Sequence, residues 1–268
     1  MTVKDLRRNI KDTTKTAAKD LLDAGRQLIA DTAQDLSTQE KETLSSLNQD
    51  GFVVIPSYWD RQKALNMGKK LQAYLSPEED RDLPNGAYLR VGNAKHQYGQ
   101  GIRRIYCVDG LLNELADFRY DPFPLKMAQA FYGRPFYSGL LLYQHNMAGN
   151  IDGGYHVDGY KKEFKSFLYL DDVDDTNGPF TYIRGSHKRH GTRMKRQLQG
   201  LKDGSSTGLS RDDLKHLLHN EVQLTGKAGT LILADVRGFH YGSPQKTNAR
   251  SVLVNYIIQE PKDLLLDK

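Results

Sequence analysis

The second half of the chain contains five short runs of β-branched, aromatic and leucine residues, separated by segments rich in glycine, asparagine and aspartate. The runs lie at residues 138–144, 165–170, 180–183, 229–235 and 250–258. Each run is short for a helix, and the residues between the runs favour turns. Several short strands joined by turns indicate a β-sandwich or a barrel, so this pattern restricts the second half to a mainly β architecture.

The first half is predicted to place helices in front of these strands. A helix is predicted after Ser37, with Ser37 or Thr38 as its cap and Glu40 in its first turn. Residues 51–56 are predicted to form a short strand that ends at a proline, and residues 61–76 return to helical spacing. The expected fold class is therefore mainly β with flanking α.

Residues 1–36 are predicted to form a separate N-terminal extension. Their apolar side chains recur mostly at three- and four-residue steps, which is typical of an amphipathic helix. The segment has no aromatic residue and its polar face mixes basic with acidic side chains, which favours packing on its own domain over a partner helix or a lipid surface. Residues 37–268 are predicted to form one barrel domain, with a polar, basic, lid-like insertion at 188–221.

The composition narrows the possible partners and compartment. The net charge is +5, from 38 basic and 33 acidic residues, which permits an anionic small-molecule substrate without the strong excess typical of specific nucleic-acid binders. The lone Cys107 excludes an internal disulfide and fits a reducing compartment. No apolar run approaches the roughly 20 residues that a membrane span needs, and the first residues lack the apolar stretch of a secretory signal. A cytoplasmic protein is expected.

Three residues have the types and spacing expected of metal ligands. His156 and Asp158 follow a glycine-rich turn, and residues two apart in an extended segment point the same way, so both can reach one ion. His240 follows a distant predicted strand, and such strands become neighbours in a barrel. Two histidines and one carboxylate leave three octahedral positions open, which is the ligand set of non-haem Fe(II) oxygenases. An exposed His–Asp pair and a histidine that caps a turn are the alternative interpretations.

Three further residues are candidates for binding a co-substrate. Arg250 opens the last predicted strand shortly after His240, and a guanidinium beside a metal pocket can bind the far carboxylate of a dicarboxylate. An ordinary edge-strand arginine is the alternative. Tyr143 and Gln144 lie on a predicted strand just before the His156-x-Asp158 turn. Because strand neighbours point to opposite faces, one of these two is expected to reach the pocket.

An ordered set of segments resembles the phytanoyl-CoA dioxygenase-like family of Fe(II)/2-oxoglutarate-dependent oxygenases. The resemblance runs from about residue 40 to 258 and rests on Asn48–Pro56, His156-x-Asp158, Phe167–Asp175, Asn177–Pro179, Gly185–His187, Gly229–Leu233, His240 and Arg250–Ser251. Arg184 stands where the family usually has a proline. The resemblance implies a double-stranded β-helix, a jelly-roll or cupin-like barrel, with N-terminal helices and the active site in the barrel mouth.

The same resemblance implies that His156, Asp158 and His240 ligate Fe(II), with no catalytic residue beyond these ligands, and that Arg250 binds the C5 carboxylate of 2-oxoglutarate. The implied enzyme is a dioxygenase that consumes 2-oxoglutarate and O2 to oxidise a C–H bond of a small-molecule metabolite, releasing succinate and CO2. Halogenating relatives replace the carboxylate ligand with a small residue. The retained Asp158 therefore favours hydroxylation, with desaturation and ring formation as open alternatives.

Two other functions stay open from the sequence. One is a related barrel oxygenase that acts on a macromolecule, which would require stronger and more salt-sensitive binding to nucleic acid than a net charge of +5 encourages. The other is a non-catalytic barrel that acts as a scaffold through its N-terminal helix.

Overall fold

The computed structural model describes residues 35–92, 101–149, 154–159, 161–203 and 207–259. Apart from its last two residues, the predicted amphipathic extension at 1–36 lies outside the described residues. None of the helices in the described ranges combines the length and the apolar character that a bilayer span requires.

Two antiparallel sheets make up the body of the described chain. The strands are β1 (Phe52–Ile55), β2 (Arg81–Asp82), β3 (Tyr88–Val91), β4 (Ile102–Tyr106), β5 (Tyr137–Asn146), β6 (Glu163–Tyr169), β7 (Phe180–Ile183), β8 (Glu221–Leu224), β9 (Leu231–Asp235), β10 (His240–Gly242) and β11 (Arg250–Ile258). The larger sheet has eight strands in the order β1-β9-β6-β11-β5-β4-β3-β2, and the smaller sheet has the order β10-β7-β8. The two sheets share one apolar cluster, to which the larger contributes Leu142 and Val254 and the smaller Tyr182 and Leu224. This barrel confirms the predicted mainly β, jelly-roll fold.

The strands predicted from the sequence are present at the expected places. The five runs in the second half correspond to β5, β6, β7, β9 and β11, and the predicted strand at 51–56 corresponds to β1. β1 pairs with β9, so the N-terminal part of the domain completes one edge of the larger sheet. Sequence order and sheet order therefore differ, as expected for a barrel in which distant segments become neighbours.

The described residues contain six α-helices. They are α1 (Thr38–Asp50), α2 (Arg61–Gln72), α3 (Ala116–Arg119), α4 (Pro122–Tyr132), α5 (His190–Asp203) and α6 (Arg211–Leu214). Ser37 caps α1 in a reciprocal capping box with Glu40, which confirms the predicted start. The helix ends at Gly51, whose φ of 88° lies in the left-handed region that glycine adopts without strain.

The larger sheet separates two apolar layers. On β11, Val252 and Val254 belong to the cluster inside the barrel, whereas Leu253 and Ile257 belong to a second cluster that includes residues of α1, α2 and α4. This alternation follows from the two-residue period of a strand. We call the two sides of the sheet the barrel face and the helix face.

The basic insertion differs from its prediction in part. The sequence SRDDLKHLLHN at 210–220 predicts one helix in this insertion, but the structure contains the 14-residue α5 ahead of that segment and only a short α6 within it. Several basic side chains at 184–196 bind the protein itself: Arg184 pairs with Asp50, and Arg193 donates to backbone carbonyls. The backbone of Leu209 donates to Tyr155 at 2.7 Å, so the insertion lies against the segment that carries His156. Its role as a lid stays a prediction.

Candidate metal centre

Backbone pairing brings together two histidines that are far apart in sequence. The amide of His156 donates to the carbonyl of His240 at 3.0 Å, and the amide of His240 donates back at 3.1 Å. Asp158 is held beside them because its amide donates to the Val236 carbonyl at 3.2 Å. Ligand atoms of His156, Asp158 and His240 all lie within 4.8 Å of one another. The structure thus gathers the three predicted metal ligands at one point.

Both imidazole rings are oriented by carbonyls of their own loops. His156 Nδ1 lies 3.0 Å from the Gly154 carbonyl, and His240 Nδ1 lies 2.8 Å from the Gly238 carbonyl. A carbonyl accepts only, so each Nδ1 carries a proton, and Nε2 is the atom left for a metal. The two Nε2 atoms face Asp158, each 3.5 Å from one of its carboxylate oxygens.

Gly238 allows this arrangement because there is no room for a side chain at its position. A Cβ there would lie 1.7 Å from the hydroxyl of Tyr182, which is fully buried and bonded to the Asp235 carbonyl. The backbone of residue 238 can therefore pass close to the tyrosine and still present its carbonyl to His240. A larger residue at position 238 would displace the carbonyl that orients the His240 ring.

Lys165 is the charged neighbour of the cluster. Its Nζ lies 2.7 Å from Asp158 Oδ2, and the lysine side chain is 7% exposed. Burial would raise the pKa of Asp158, but Lys165 and then His240 reverse this and hold the pKa well below its usual range. Burial lowers the pKa of His156, but its hydrogen bond to Asp158 outweighs this, and the net shift is upward. The carboxylate is therefore charged and ready to act as a ligand.

The donor set suits a divalent transition metal. Imidazole nitrogen with carboxylate oxygen fits iron and its neighbours, and three protein ligands leave positions open for other molecules. A structural zinc site would instead use four protein ligands, commonly with cysteines. That His156, Asp158 and His240 bind a metal remains a prediction, for which the geometry of this site is a good fit.

Arg250 lies on the barrel face, near the strand that carries His240. It is 5% exposed, and its guanidinium donates to the Gly178 carbonyl. A Cβ at Gly242 would come 3.3 Å from Arg250 Nη2, so this glycine leaves space for the guanidinium. Gly242 is two residues beyond His240 on β10, a separation of roughly 7 Å along a strand. The guanidinium therefore lies beside a residue that is two positions along the strand from His240.

The structure separates the other two candidate residues. Gln144 is paired with Val252 on β11, on the barrel face, where it accepts from Arg104 Nε at 2.8 Å and donates to Asn146 at 2.8 Å. Tyr143 belongs to the helix-face cluster, and its hydroxyl donates to Ser251 Oγ at 3.2 Å. Strand alternation therefore turns the Tyr143 ring away from the barrel interior and leaves Gln144 as the one of the two that faces it; co-substrate binding by either residue stays a prediction.

Lys165 is the residue of this site that sequence reasoning missed. It lies two residues before Phe167 on β6, and Phe167 packs in the barrel cluster. A lysine two residues before Phe167, on the same inward side of the strand, was the available signal, because such a charge needs a buried partner.

Comparison with known proteins agrees with this picture. The family model of phytanoyl-CoA dioxygenase (PhyH) matches residues 155–252, a range that contains all three candidate ligands and Arg250. No curated protein matches the chain in sequence.

Three solved structures illustrate the shared fold. The epimerase SnoN from nogalamycin biosynthesis, in complex with Fe3+, α-ketoglutarate and nogalamycin RO, has a TM-score of 0.63 at 14% identity, covering 82% of this chain and 84% of its own. EctD from S. alaskensis, with 2-oxoglutarate and 5-hydroxyectoine, gives 0.62 at 17% identity, covering 83% and 76%. HygX from Streptomyces hygroscopicus, with nickel, 2-oxoglutarate and hygromycin B, gives 0.57 at 15% identity, covering 83% and 87%.

At these identities the solved structures show a common fold, and the family model shows a sequence similarity over one segment of the chain. The match at residues 155–252 includes the His-x-Asp segment, the second histidine and the arginine on which the sequence resemblance rests. Over these 98 of the 268 residues, it confirms the resemblance of the chain to the phytanoyl-CoA dioxygenase family.

Proposed function

We propose that the protein is an Fe(II)- and 2-oxoglutarate-dependent dioxygenase that hydroxylates a C–H bond of a small-molecule metabolite. The observation that carries the proposal is the convergence of His156, Asp158 and His240, whose ligand atoms lie within 4.8 Å of one another inside the barrel. Two imidazoles and one carboxylate are the protein ligands of non-haem Fe(II) oxygenases.

Each residue of the site has a stated task in this proposal. The Nε2 atoms of both histidines and one oxygen of Asp158 would hold the iron, and the two loop carbonyls keep the rings aimed at it. Arg250 would hold the far carboxylate of 2-oxoglutarate, with a fixed, buried cation that is preorganised for an anion. Bound iron together with 2-oxoglutarate would supply the oxygen chemistry, while the protein positions the reactants.

The structures that share this fold support a small molecule as the substrate. The structures of SnoN, EctD and HygX contain nogalamycin RO, 5-hydroxyectoine and hygromycin B respectively. A related structure is described as a carbocyclase and SnoN as an epimerase, so the fold supports more than one oxidative outcome. Hydroxylation is proposed for this chain because Asp158 is retained. A cytoplasmic location is part of the proposal, supported by the single Cys107.

The test is an anaerobic titration of the metal-free protein with Fe(II) and then 2-oxoglutarate. We expect the weak visible charge-transfer band that forms when a 2-oxo acid chelates ferrous iron. His240→Ala should abolish the band, and Arg250→Ala should require much more 2-oxoglutarate to form it. His216→Ala is the matched control, because His216 is an exposed histidine that does not belong to the ligand cluster, and it should behave as wild type.

Activity is then measured by admitting O2 and following succinate and CO2 release with candidate small molecules. A wild-type protein that binds no iron, or binds it without responding to 2-oxoglutarate, would overturn the proposal. That outcome would favour a non-catalytic barrel.

A further inference from the structure

Lys165 is a fully enclosed cation that the proposed function does not use. It lies on β6 opposite Ala234 of β9 and Tyr256 of β11, in the middle of the larger sheet and on its barrel face. An ammonium group taken out of water needs strong compensating partners, since its transfer into an apolar interior is costly. The groups that contact Lys165 therefore indicate its role.

The shortest of its contacts is with the predicted metal ligand. Lys165 Nζ is 2.7 Å from Asp158 Oδ2, against 3.2 Å from Glu163 Oε1 and 3.8 Å from the centre of the Tyr256 ring. The contact with Asp158 has the length of a charge-assisted hydrogen bond. The other oxygen, Asp158 Oδ1, faces His156 Nε2 at 3.5 Å. Oδ2 faces His240 Nε2 at the same 3.5 Å, so the contact with Lys165 is what distinguishes the two oxygens: Oδ2 is held by the lysine and Oδ1 is not.

A purely structural role explains this arrangement poorly. A buried ion pair contributes little net stability, because the cost of desolvating two charges offsets most of their attraction. Apart from Asp158 and Glu163, the neighbours of Lys165 on this face include the aromatic side chains of Tyr256 and Phe167, which pack against the barrel cluster. An apolar side chain of the same length would fill this space at a lower desolvation cost.

We infer that Lys165 is a positioning residue that holds Asp158 Oδ2 and reserves Oδ1 for the metal. The inference rests on the proposed function, since it assigns a task toward the same metal. Hydrogen-bonding partners of metal ligands fix the ligand's orientation, and their loss typically weakens metal binding about 10- to 100-fold. A carboxylate that lost Lys165 could rotate and offer both oxygens, or bond to the neighbouring imidazoles.

The experiment uses Co(II) as a spectroscopic probe of the full-length protein, with Lys165→Met, Lys165→Arg and wild type. Lys126→Met is the matched control, because it breaks a lysine–carboxylate pair, with Glu40 at 2.9 Å, that is remote from the site. We expect Lys165→Met to change the d–d absorption bands of bound cobalt and to weaken cobalt binding about 10-fold. Lys165→Arg, which keeps the charge and the N–H donors, should restore the wild-type bands. Circular dichroism confirms that each variant retains its β-structure.

The outcomes separate the two proposals. Wild-type bands and unchanged or tighter cobalt binding in Lys165→Met would overturn the positioning role, even if the enzyme itself is confirmed. A wild type that binds cobalt but gives no band with Fe(II) and 2-oxoglutarate would overturn the proposed function, while the cobalt comparison still decides the role of the lysine. A wild type that binds no cobalt would overturn both.

Discussion

The polar side chains on the two faces of β5 and β11 lie in different environments. On the helix face, Ser251 Oγ has partners on every side: the hydroxyl of Tyr143 at 3.2 Å, His145 Nδ1 at 3.0 Å and Gln72 Nε2 at 3.3 Å. On the barrel face, Arg250 and Gln144 lie in the sheet that encloses the candidate metal ligands. Residues adjacent in sequence, such as 250 and 251, thus belong to different environments.

This difference between the two faces means that one strand contributes both to the stability of the fold and to the candidate site. The polar groups of the helix face form a closed network in which the protein satisfies its own hydrogen bonds. The barrel face instead directs donors and charges toward the interior, where a ligand can meet them. Substitutions on the helix face should therefore change the free energy of unfolding, and substitutions on the barrel face should change ligand binding.

The strongest test of this division is Leu253→Ala on the helix face. Leu253 is fully buried in the helix-face cluster, and truncating such a leucine lowers the free energy of unfolding by about 2–5 kcal/mol. Iron and 2-oxoglutarate binding should be unchanged, because the side chain points away from the barrel. Denaturant unfolding and the anaerobic titration measure the two quantities. Leu198→Ala, at an exposed leucine, is the control and should leave both unchanged. A large loss of iron affinity in folded Leu253→Ala would contradict the division.

Substitutions at the adjacent residues Tyr143 and Gln144 compare the helix face with the barrel face at one place on β5. Tyr143→Phe removes the hydrogen bond to Ser251 and should lower the free energy of unfolding by about 1 kcal/mol without changing the 2-oxoglutarate requirement. Gln144→Leu should raise that requirement, because Gln144 holds Arg104 and Asn146 on the barrel face. The same two measurements apply. The reverse pattern would show that Tyr143, not Gln144, serves the co-substrate.

The smallest expected effect is a pH dependence on the helix face. Burial, with a further contribution from Arg103, lowers the pKa of His145 in the folded protein, although Asp171 partly opposes this. Below a pH of about 6.5 the unfolded chain takes up a proton at this histidine that the folded protein does not. The free energy of unfolding should therefore fall as the pH drops below that value.

His145→Gln isolates this contribution in the metal-free protein. The variant should lose less of its free energy of unfolding between neutral and mildly acidic pH than wild type does. Chemical denaturation at a series of pH values measures the difference, since all other titrating groups are common to both proteins. Parallel pH profiles for the two proteins would show that His145 titrates equally in the folded and unfolded states.

Much of the fold was predictable because its signals are local. The short apolar runs gave the positions of β5, β6, β7, β9 and β11, and Ser37 with Glu40 gave the start of α1. The long α5 was not predicted. Its sequence is polar and basic, so it has few apolar residues at helical spacing. A helix that is stabilised by contacts with the rest of the protein is hard to predict from such spacing.

The site was predictable in its residue types but not in its supporting contacts. His156, Asp158 and His240 stand out because few chemistries need two imidazoles and a carboxylate. The contact between Lys165 and Asp158 joins a residue of β6 to one outside the strands, and no spacing rule encodes it. The choice between Tyr143 and Gln144 required the register of β5 against β11, which tertiary packing sets.

The loop carbonyls behind the two histidines also bear on which metal the protein would carry. The carbonyls aim both imidazoles at one point, but three protein ligands fix only part of a coordination sphere, so the site discriminates weakly between divalent ions by geometry. Affinity would then follow the intrinsic order of the divalent ions, in which copper, nickel and zinc bind nitrogen ligands more tightly than iron does. Occupancy by iron would depend on the supply of metals around the protein, and zinc would act as an inhibitor wherever it is abundant.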